Sequence, residues 1–299
     1  NTTEGMSFVA NGLELAPGSE ILTTQHEHIG GLCPWQLVSQ RHGLSLRQLP
    51  LPLPPQDAQQ VVDIFRKAIT RRTRVISVSH VNFTTGLQMP VREIVELARP
   101  RHIAVVVDGA HPPGLMPVDM RALDPDFYAS SPHKWLLAPQ GTGFLWLRQD
   151  WRQRLWPSVA SGDWDNLKLG AQRFNHLGTI DESRLAGLLA AIGFHEAIGP
   201  ARVYDRIREL RRRLDDGLRA MPGIRVVSPR DDALVAGMVS FAVEKMPALE
   251  LQARLEKGAN MRTRVISEYG YGWMRLSPHV YTSQADVERA LALIRKEVA

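Results

Sequence analysis

The sequence predicts an α/β protein in which helices cover both faces of a mostly parallel sheet, followed by a smaller α+β region. Strand-like apolar runs alternate with segments of helical periodicity through the first half of the 299 residues. The run from Ile103 to Val107 is apolar at every position, which is typical of a central strand buried on both faces. Two long helical patterns, paired strand patterns and further helical patterns follow residue 180. We therefore predict one domain over residues 1–180 and a second over 181–299.

Each element is predicted from its own apolar pattern and from the turn residues that bound it. In the larger region we expect strands at 20–24, 44–51, 74–81, 102–108, 126–131 and 142–148, and helices at 6–13, 30–43, 55–69 and 90–100, with a short turn at 119–123. In the smaller region we expect helices at 181–198, 201–220, 247–258 and 283–298, and strands at 223–228, 237–243, 261–267 and 273–278.

The composition is that of an ordinary globular protein, with 44% hydrophobic and 22% charged residues. No apolar run approaches the roughly 20 residues that cross a bilayer. The first residues show no basic segment ahead of an apolar stretch, so no signal peptide is predicted. A single cysteine, Cys33, excludes an intrachain disulfide framework and fits a reducing compartment. We expect a cytoplasmic protein without a metal centre, in which Cys33 is an inert, buried thiol.

The net charge of +5 raises the alternative of a polyanion-binding protein. The densest basic cluster lies in 201–220, where Val203, Ile207 and Leu210 recur at helical spacing. Acidic residues are interleaved with its arginines and dilute the positive field. This pattern favours a solvated helix face, and no nucleic-acid-binding motif accompanies it.

Polar groups lie at or just beyond the carboxyl ends of three predicted strands, where ligands gather in an α/β sheet. They are Asn82, Asp108 and Lys134. An amine and a carboxylate that converge on one crevice suit pyridoxal phosphate (PLP), because its aldehyde condenses with a lysine and its pyridine nitrogen pairs with a buried carboxylate. Its phosphate suits a helix N-terminus rich in hydroxyl groups, and the chain opens with Thr2 and Thr3 ahead of a helical pattern. The sequence therefore predicts a PLP site.

Six segments, in this order and at these separations, resemble the class V aminotransferase family of fold-type-I PLP-dependent enzymes. They are NTTEG, HEHIGGLCPWQ, HVNFTTG, VDGAH, SSPHKW and LGT, and the likeness extends to MRLSPHVYT near the C-terminus. The isopenicillin N epimerase-like and cysteine desulfurase-like branches are the most similar. The resemblance implies a sheet of the seven-stranded type, mostly parallel and covered by helices, and a small α+β C-terminal domain.

The resemblance also implies how the cofactor is held. Lys134 bonds covalently to the cofactor and then moves protons at the substrate Cα. Asp108 pairs with the ring nitrogen, and His28 stacks on the ring and assists proton transfer. Trp135, next to the lysine, is expected to be a packing residue. The implied phosphate contacts are Thr2, Thr3, Ser131 and His133.

Further implied contacts involve the substrate and a second subunit. Arg275 clamps the substrate carboxylate in the bidentate way that a planar guanidinium permits. Asn82 and His111 approach the 3′-oxygen of the cofactor or the substrate. Thr179 reaches the phosphate of the neighbouring subunit's cofactor, which implies a homodimer.

Two departures from the cysteine desulfurase pattern indicate which branch of the family this sequence resembles more. Cysteine desulfurases place a nucleophilic cysteine in the segment that corresponds to 261–277, and this segment has none. Cys33 lies in the predicted helix after His28 and is a poor substitute, so persulfide chemistry is not expected. The desulfurase pattern has Gln where this chain has His111, which favours the epimerase-like branch.

The resemblance leaves the substrate open. The family carries an N-terminal arm before the phosphate-binding turn that helps to close the substrate pocket, and the printed sequence starts on that turn. We expect chemistry at Cα or Cβ of a small amino acid, giving an epimerase, a racemase or a β-lyase. The alternatives are a transaminase of the same family and a non-catalytic protein with the PLP-enzyme fold.

Overall fold

A six-stranded sheet organises the larger region of the computed structural model, which describes residues 1–175 and 177–298. The strand order is β2-β1-β3-β4-β5-β6, and all pairs are parallel except that of β5 and β6. The predicted mostly parallel sheet is confirmed, with six strands in the described part of the chain. The strands are β1 (Glu20–Thr24), β2 (Ser45–Leu49), β3 (Thr73–Ser79), β4 (Ala104–Gly109), β5 (Phe127–Ser130) and β6 (Phe144–Leu147).

Apolar layers cover both faces of this sheet. Because side chains alternate along a strand, Val105 and Val107 of β4 enter one layer, whereas Val106 enters the other. Every position of β4 is buried, as its apolar run up to Val107 predicts, and the burial includes Asp108 near the end of the strand. The covering helices are α1 (Thr2–Gly12), α2 (Ile29–His42), α3 (Ala58–Ala68) and α4 (Val91–Ala98), with the short α5 (Met120–Leu123) before β5.

The first helix begins earlier than the apolar pattern predicts. We expected it from residue 6, and the structure starts α1 at Thr2. The cause is capping, since the side-chain oxygen of Asn1 accepts a hydrogen bond from the Glu4 N–H at 3.2 Å. The hydroxyl residues at the start of the chain therefore belong to the first helical turn.

A second, antiparallel sheet forms the smaller region. Its order is β7-β8-β10-β9, and its core contains Leu210, Phe241, Leu251 and Met274. The strands are β7 (Ile224–Val226), β8 (Val239–Val243), β9 (Arg264–Ile266) and β10 (Trp273–Leu276), and the helices are α6 (Ser183–Ile198), α7 (Pro200–Arg219), α8 (Ala248–Ala259) and α9 (Gln284–Val298). All four strands follow residue 180, and the domain boundary there stays a prediction.

The basic helix α7 has the amphipathic character that its sequence predicts. Val203, Ile207 and Leu210 are buried. The arginines pair with carboxylates on the same helix or on the loop between β7 and β8, where Asp232 contacts both Arg211 and Arg212. These ion pairs neutralise most of the charge cluster, as expected of a solvated helix face.

Candidate active site

The predicted site residues meet at the carboxyl edge of the large sheet. A cavity of about 420 Å³ opens there between the N-termini of α1 and α2 and the ends of β3, β4 and β5. We call it the Asp108 cavity. It is lined by Asn1, Thr2, Thr3, His28, Gly30, Ser79, Val81, Phe83, Asp108, Ala110, His111, Ser131, His133, Lys134, Gln140 and Gly141.

A second cavity of about 420 Å³ adjoins the first on the side of the small sheet. We call it the Arg275 cavity. The two share four lining residues, namely His28, Phe83, His111 and Lys134. The Arg275 cavity is completed by Trp135, Arg264, Arg275, Ser277, His279 and Tyr281. Lys134 therefore stands between the carboxylate of Asp108 and the guanidinium of Arg275.

A larger cavity, of about 580 Å³, lies away from this chemistry. Val75 and Ala104, near the starts of β3 and β4, line it, so it opens at the amino edge of the sheet. None of the predicted site residues lines this cavity. Because ligands of α/β sheets gather at the carboxyl edge, we take the two smaller cavities as the candidate active site.

The N-terminus of α1 forms one end of the Asp108 cavity. Thr2 is anchored to the loop after β5, because its N–H donates to the Ser131 hydroxyl at 3.0 Å and the two hydroxyls lie 2.7 Å apart. The Thr3 N–H has no helical partner, since it lies in the first turn. His133 contacts the Thr142 carbonyl through Nδ1 at 3.0 Å. Helix N–H groups, hydroxyls and an imidazole thus converge on a place suited to an anion.

Two glycines allow α2 to approach this site closely. A Cβ atom on Gly30 would lie 2.2 Å from the Thr3 hydroxyl oxygen, and one on Gly31 would lie 2.7 Å from Asp108 Oδ2. Any side chain at these positions would push the helix away from the cavity. The Gly-Gly pair of the EHIGG segment is therefore a packing requirement of the site.

His28 is held by the helix that it precedes. Its Nδ1 accepts a hydrogen bond from the Gly30 N–H at 3.1 Å, which makes His28 the N-cap of α2. The neutral ring then carries its proton on Nε2. Burial, followed by the charge of Lys134, lowers the pKa of His28. Its ring meets Phe83 edge to face at 5.2 Å.

Asp108 is a buried carboxylate with one open oxygen. Its Oδ1 accepts a hydrogen bond from the Ala110 N–H at 3.0 Å. Its Oδ2 accepts none from the residues that the structure describes. Burial raises the pKa of Asp108, and attraction by Lys134 and the Ala110 N–H oppose that rise. The open oxygen can therefore pair with a cationic donor inside the cavity.

Lys134 lies half-buried beside this carboxylate. Within the described ranges its ammonium makes no ion pair closer than 4 Å with any carboxylate. Burial lowers the pKa of Lys134, with Asp108 acting to raise it and Arg275 to lower it. A lowered pKa increases the fraction of neutral amine, the form that attacks an aldehyde.

Arg275 presents one side of its guanidinium to the second cavity. Its Nη1 donates to the Phe83 carbonyl at 2.6 Å. Its Nε is buried and finds no partner among residues 1–175 and 177–298. Burial lowers the pKa of Arg275 to about 10, and the nearby Arg264 contributes. The free Nε and Nη2 edge has the geometry for a bidentate carboxylate.

The structure does not bring every predicted residue to the cavities. Asn82 is fully buried, and neither atom of its amide has a hydrogen-bond partner in the described part of the chain. Its neighbour Phe83 lines both cavities instead. Thr179 is exposed and lines neither cavity. The prediction of a buried thiol is wrong, because Cys33 is on the exposed face of α2.

Glu27 is a buried carboxylate next to the site that sequence reasoning missed. It accepts hydrogen bonds from the Thr24 hydroxyl at 2.5 Å and from the Ser79 N–H and hydroxyl at 2.8 and 2.5 Å. Ser79 in turn lies opposite Asp108 in the pairing of β3 with β4. Burial raises the pKa of Glu27 to about 7, and the charge of Asp108 adds to this rise. The EHIGG segment thus supplies a structural acid as well as His28.

Glu27→Gln is expected to change how stability depends on pH. An unfolded chain loses this proton near the ordinary pKa of 4.5, whereas the folded protein keeps it to about 7. The stabilisation from the bound proton is therefore complete below pH 4.5 and is lost as the pH rises to 7. The shift corresponds to roughly 3 kcal/mol. Relative to wild type, the free energy of unfolding of the variant should rise by up to about that amount over this range, as measured by urea unfolding.

Glu20→Gln is the matched control for this experiment. Burial acts to raise the pKa of Glu20, but hydrogen bonds from Thr73, Arg47 and Thr70 together bring it below the ordinary value. The stabilisation by Glu20 is therefore present at neutral pH and lost as the pH falls, so its variant should show the opposite trend. If the difference in the free energy of unfolding between Glu27→Gln and wild type did not depend on pH, the raised pKa of Glu27 would be contradicted.

The open groups of the two cavities fit PLP. The helix N-terminus with Thr2, Thr3 and Ser131 suits a phosphate. The open Oδ2 of Asp108 suits a protonated pyridine nitrogen, and the unpaired amine of Lys134 suits the aldehyde. These features define the class of protein as a PLP-dependent enzyme.

Comparison with known proteins identifies the family. The aminotransferase class-V profile matches residues 1–290, and the chain belongs to this family. It is 34% identical to the isopenicillin N epimerase of Streptomyces clavuligerus over 97% of this chain and 76% of that protein. It is 30% identical to a cysteine desulfurase of Cronobacter sakazakii over 98% of this chain and 76% of that protein.

Solved structures agree with this assignment. The C-DES mutant with glycine covalently linked to the PLP cofactor superposes with a TM-score of 0.87 at 28% identity, covering 99% of this chain and 79% of that one. The apo cysteine desulfurase of Thermococcus onnurineus gives a TM-score of 0.88 at 28% identity, covering 100% and 78%. The predicted fold class and the predicted cofactor are thereby confirmed.

Proposed function

We propose that this enzyme removes the Cα proton of a small amino acid and then catalyses epimerisation or β-elimination, with Lys134 as the base. The observation that carries the proposal is the position of Lys134, which lines the Asp108 cavity and the Arg275 cavity alike. A base in this position reaches both the cofactor and a substrate whose carboxylate lies against Arg275.

Each residue has a separate task in this proposal. PLP supplies the electron sink that makes the Cα–H bond acidic. Asp108 holds a proton on the pyridine nitrogen through its open Oδ2. Arg275 fixes the substrate carboxylate through Nε and Nη2, and this leaves the Cα–H directed to Lys134. His28 covers one face of the ring. The phosphate contacts are assigned to Thr2, Thr3, Ser131 and His133.

Asn82, which follows β3, is expected from the resemblance to approach the cofactor's 3′-oxygen or the substrate, but its position in the structure favours another role. Asn82 does not line either cavity, whereas His111 lines both. We assign the contact with the 3′-oxygen or the substrate to His111 and a structural role to Asn82. The preference for the epimerase-like branch over the desulfurase-like branch rests on His111 and on the absence of cysteine from residues 261–277.

The outcome of the reaction is tested with a panel of amino acids in heavy water. Holoenzyme is incubated with each L- and D-enantiomer, and Cα deuteration, inversion, pyruvate and other keto acids are measured. Inversion with deuterium at Cα supports an epimerase or racemase, and a keto acid with loss of the β-substituent supports a lyase. Stoichiometric conversion of the cofactor to its amine form would favour the transaminase alternative. Absence of Cα exchange with every substrate would contradict the proposal.

Arg275→Lys is expected to weaken substrate binding more than it slows turnover. A lysine keeps the positive charge but cannot offer the Nε and Nη2 pair to a carboxylate. Loss of one charge-assisted hydrogen bond costs roughly 1.5–3 kcal/mol, so KM should rise by about 10- to 100-fold. Steady-state kinetics separates KM from kcat, with Arg262→Lys as the control, because Arg262 lines neither cavity. An unchanged KM would remove Arg275 from carboxylate binding.

We also propose a homodimer in which Thr179 reaches the partner's cofactor. Helix α6 exposes large apolar side chains, including Leu189 at 70% and Phe194 at 51%. A groove lined by Phe8, Phe144 and Ile180 continues from α6 to Asn1 and Gly141, which also line the Asp108 cavity. A second copy seated on this groove would bury the apolar face. Sedimentation velocity is expected to give a dimer, and an active monomer would contradict the proposal.

The compartment is assigned from cysteine usage. No helix within 1–175 or 177–298 combines the length and the apolar character needed to cross a membrane. We propose the cytoplasm, because the one cysteine of the printed sequence is a free, exposed thiol. Fractionation of cells that express the protein tests this assignment.

A further inference from the structure

His111 and Trp135 form a hydrogen-bonded pair in the wall between the two cavities. The indole Nε1–H of Trp135 donates to Nδ1 of His111 at 2.9 Å. An indole nitrogen can only donate, so Nδ1 must be the unprotonated acceptor. The neutral ring of His111 therefore carries its proton on Nε2. Trp135, expected from the sequence to be a packing residue, also fixes a tautomer.

The surroundings of His111 keep this ring neutral. His111 is buried, and three basic side chains face it: Lys134 after β5, Arg275 on β10, and the neutral ring of His28 at the start of α2. Burial, followed by the charges of Lys134 and Arg275, holds the pKa of His111 well below its usual range. Protonation of His111 would add a third positive charge next to those of Lys134 and Arg275. His111 therefore stays neutral and keeps its Nε2–H as a donor.

Trp135 is itself held in place from the small-sheet side. The His279 ring stacks on the indole at 5.3 Å with an interplanar angle of 16°. Nδ1 of His279 accepts from the Val280 N–H at 2.8 Å, so the proton of this ring lies on Nε2 as well, and Nε2 donates to the Trp135 carbonyl at 3.0 Å. The chain of contacts His279–Trp135–His111 therefore has one consistent set of donors and acceptors.

We infer that Trp135 is a positioning residue that holds His111 as a neutral Nε2–H donor for an anionic oxygen of the bound reactants. This inference rests on the proposed function. The oxygen is either the phenolic 3′-oxygen of the cofactor or the substrate carboxylate, since His111 lines both cavities. A ring with Nδ1 occupied and Nε2 protonated cannot accept the Cα proton. His111 is thereby excluded as the base, and the Cα proton is left to Lys134.

The tautomer is tested directly in the wild-type holoenzyme, without turnover. Nitrogen-15 NMR of histidine-labelled protein, assigned with His111→Gln, is expected to show His111 unprotonated at Nδ1 and protonated at Nε2. The opposite tautomer, or a charged ring at pH 7, would overturn the inference. Because this measurement needs no substrate, its failure is distinct from failure of the proposed reaction, which the amino-acid panel reports.

Trp135→Phe tests the consequence for binding. The variant keeps an aromatic ring but removes the N–H, so the affinity for cofactor or substrate should fall by roughly 3- to 10-fold. Trp35→Phe is the matched control, because Trp35 is fully buried and its Nε1–H has no partner in the described ranges. A change in the Kd of PLP alone assigns the donor to the 3′-oxygen, and a change in KM alone assigns it to the carboxylate.

A double variant separates positioning from packing. Once His111→Leu has removed the imidazole and with it the acceptor of the indole N–H, Trp135→Phe should cause little further loss, since both changes act through one hydrogen bond. Additive effects of the two changes, or equal effects of Trp135→Phe and Trp35→Phe, would overturn the inference.

Discussion

Replacing Lys134 by alanine is expected to abolish the covalent attachment of the cofactor and to lower Cα–H exchange by roughly 10³-fold or more. The reason is that one amine serves two purposes, as the partner of the aldehyde and as the base. The fold should survive, because the amine makes no ion pair with the carboxylates that the structure describes, and Asp108, which loses the attraction of this charge, has a raised pKa and can take up a proton.

Absorption spectra and exchange kinetics measure these two effects. The visible band of the bound cofactor should be missing from the variant, while far-ultraviolet circular dichroism should remain unchanged. Lys67→Ala, on the exposed side of α3, is the control and should retain both band and exchange. A Lys134→Ala protein that keeps the band would show that another amine is used.

Asp108→Asn is expected to lower Cα–H exchange by roughly 10²- to 10³-fold, since it removes one fixed charge from the reacting system. Asparagine has nearly the same shape and can still accept the Ala110 N–H bond, which limits structural damage. Because its side chain is neutral, asparagine cannot form an ion pair with the protonated ring nitrogen and so cannot stabilise the proton there. The affinity for PLP should fall as well, which spectroscopic titration measures.

Asp126→Asn provides the matched control for the charge at Asp108. Asp126 is a buried carboxylate that binds the Val105 N–H at 2.8 Å and Arg148 at 2.9 Å, and it lines neither cavity. Its replacement should lower stability without a specific loss of exchange in the folded holoenzyme. Equal losses of exchange in both variants would mean that Asp108 acts only through stability.

Much of the fold could be predicted because its signals are local. The unbroken apolar run in β4 and the helical spacing in α7 each identify their element without tertiary information. That Asp108 and Lys134 meet at the carboxyl edge could be predicted from the α/β topology, because Asp108 lies at the end of β4 and Lys134 follows the neighbouring β5.

Side-chain directions after the strands could not be predicted in the same way. Which of Asn82 and Phe83 lines the cavity depends on the turn after β3, where the Asn82 N–H donates to the Leu87 carbonyl and the Gly86 N–H donates to the Asn82 carbonyl. The exposure of Cys33 depends on which face of α2 packs on the sheet. The contact between Trp135 and His111 joins residues from different loops, so no local pattern encodes it.

The central claim is that the amine of Lys134 carries PLP in this cavity. Borohydride reduction of the holoenzyme, followed by digestion and mass spectrometry, tests it most directly, because reduction makes the bond between cofactor and lysine permanent. We predict a single pyridoxyl-phosphate label on the peptide that contains Lys134. A label on a different lysine, or no label in protein that retains the cofactor, would contradict the account.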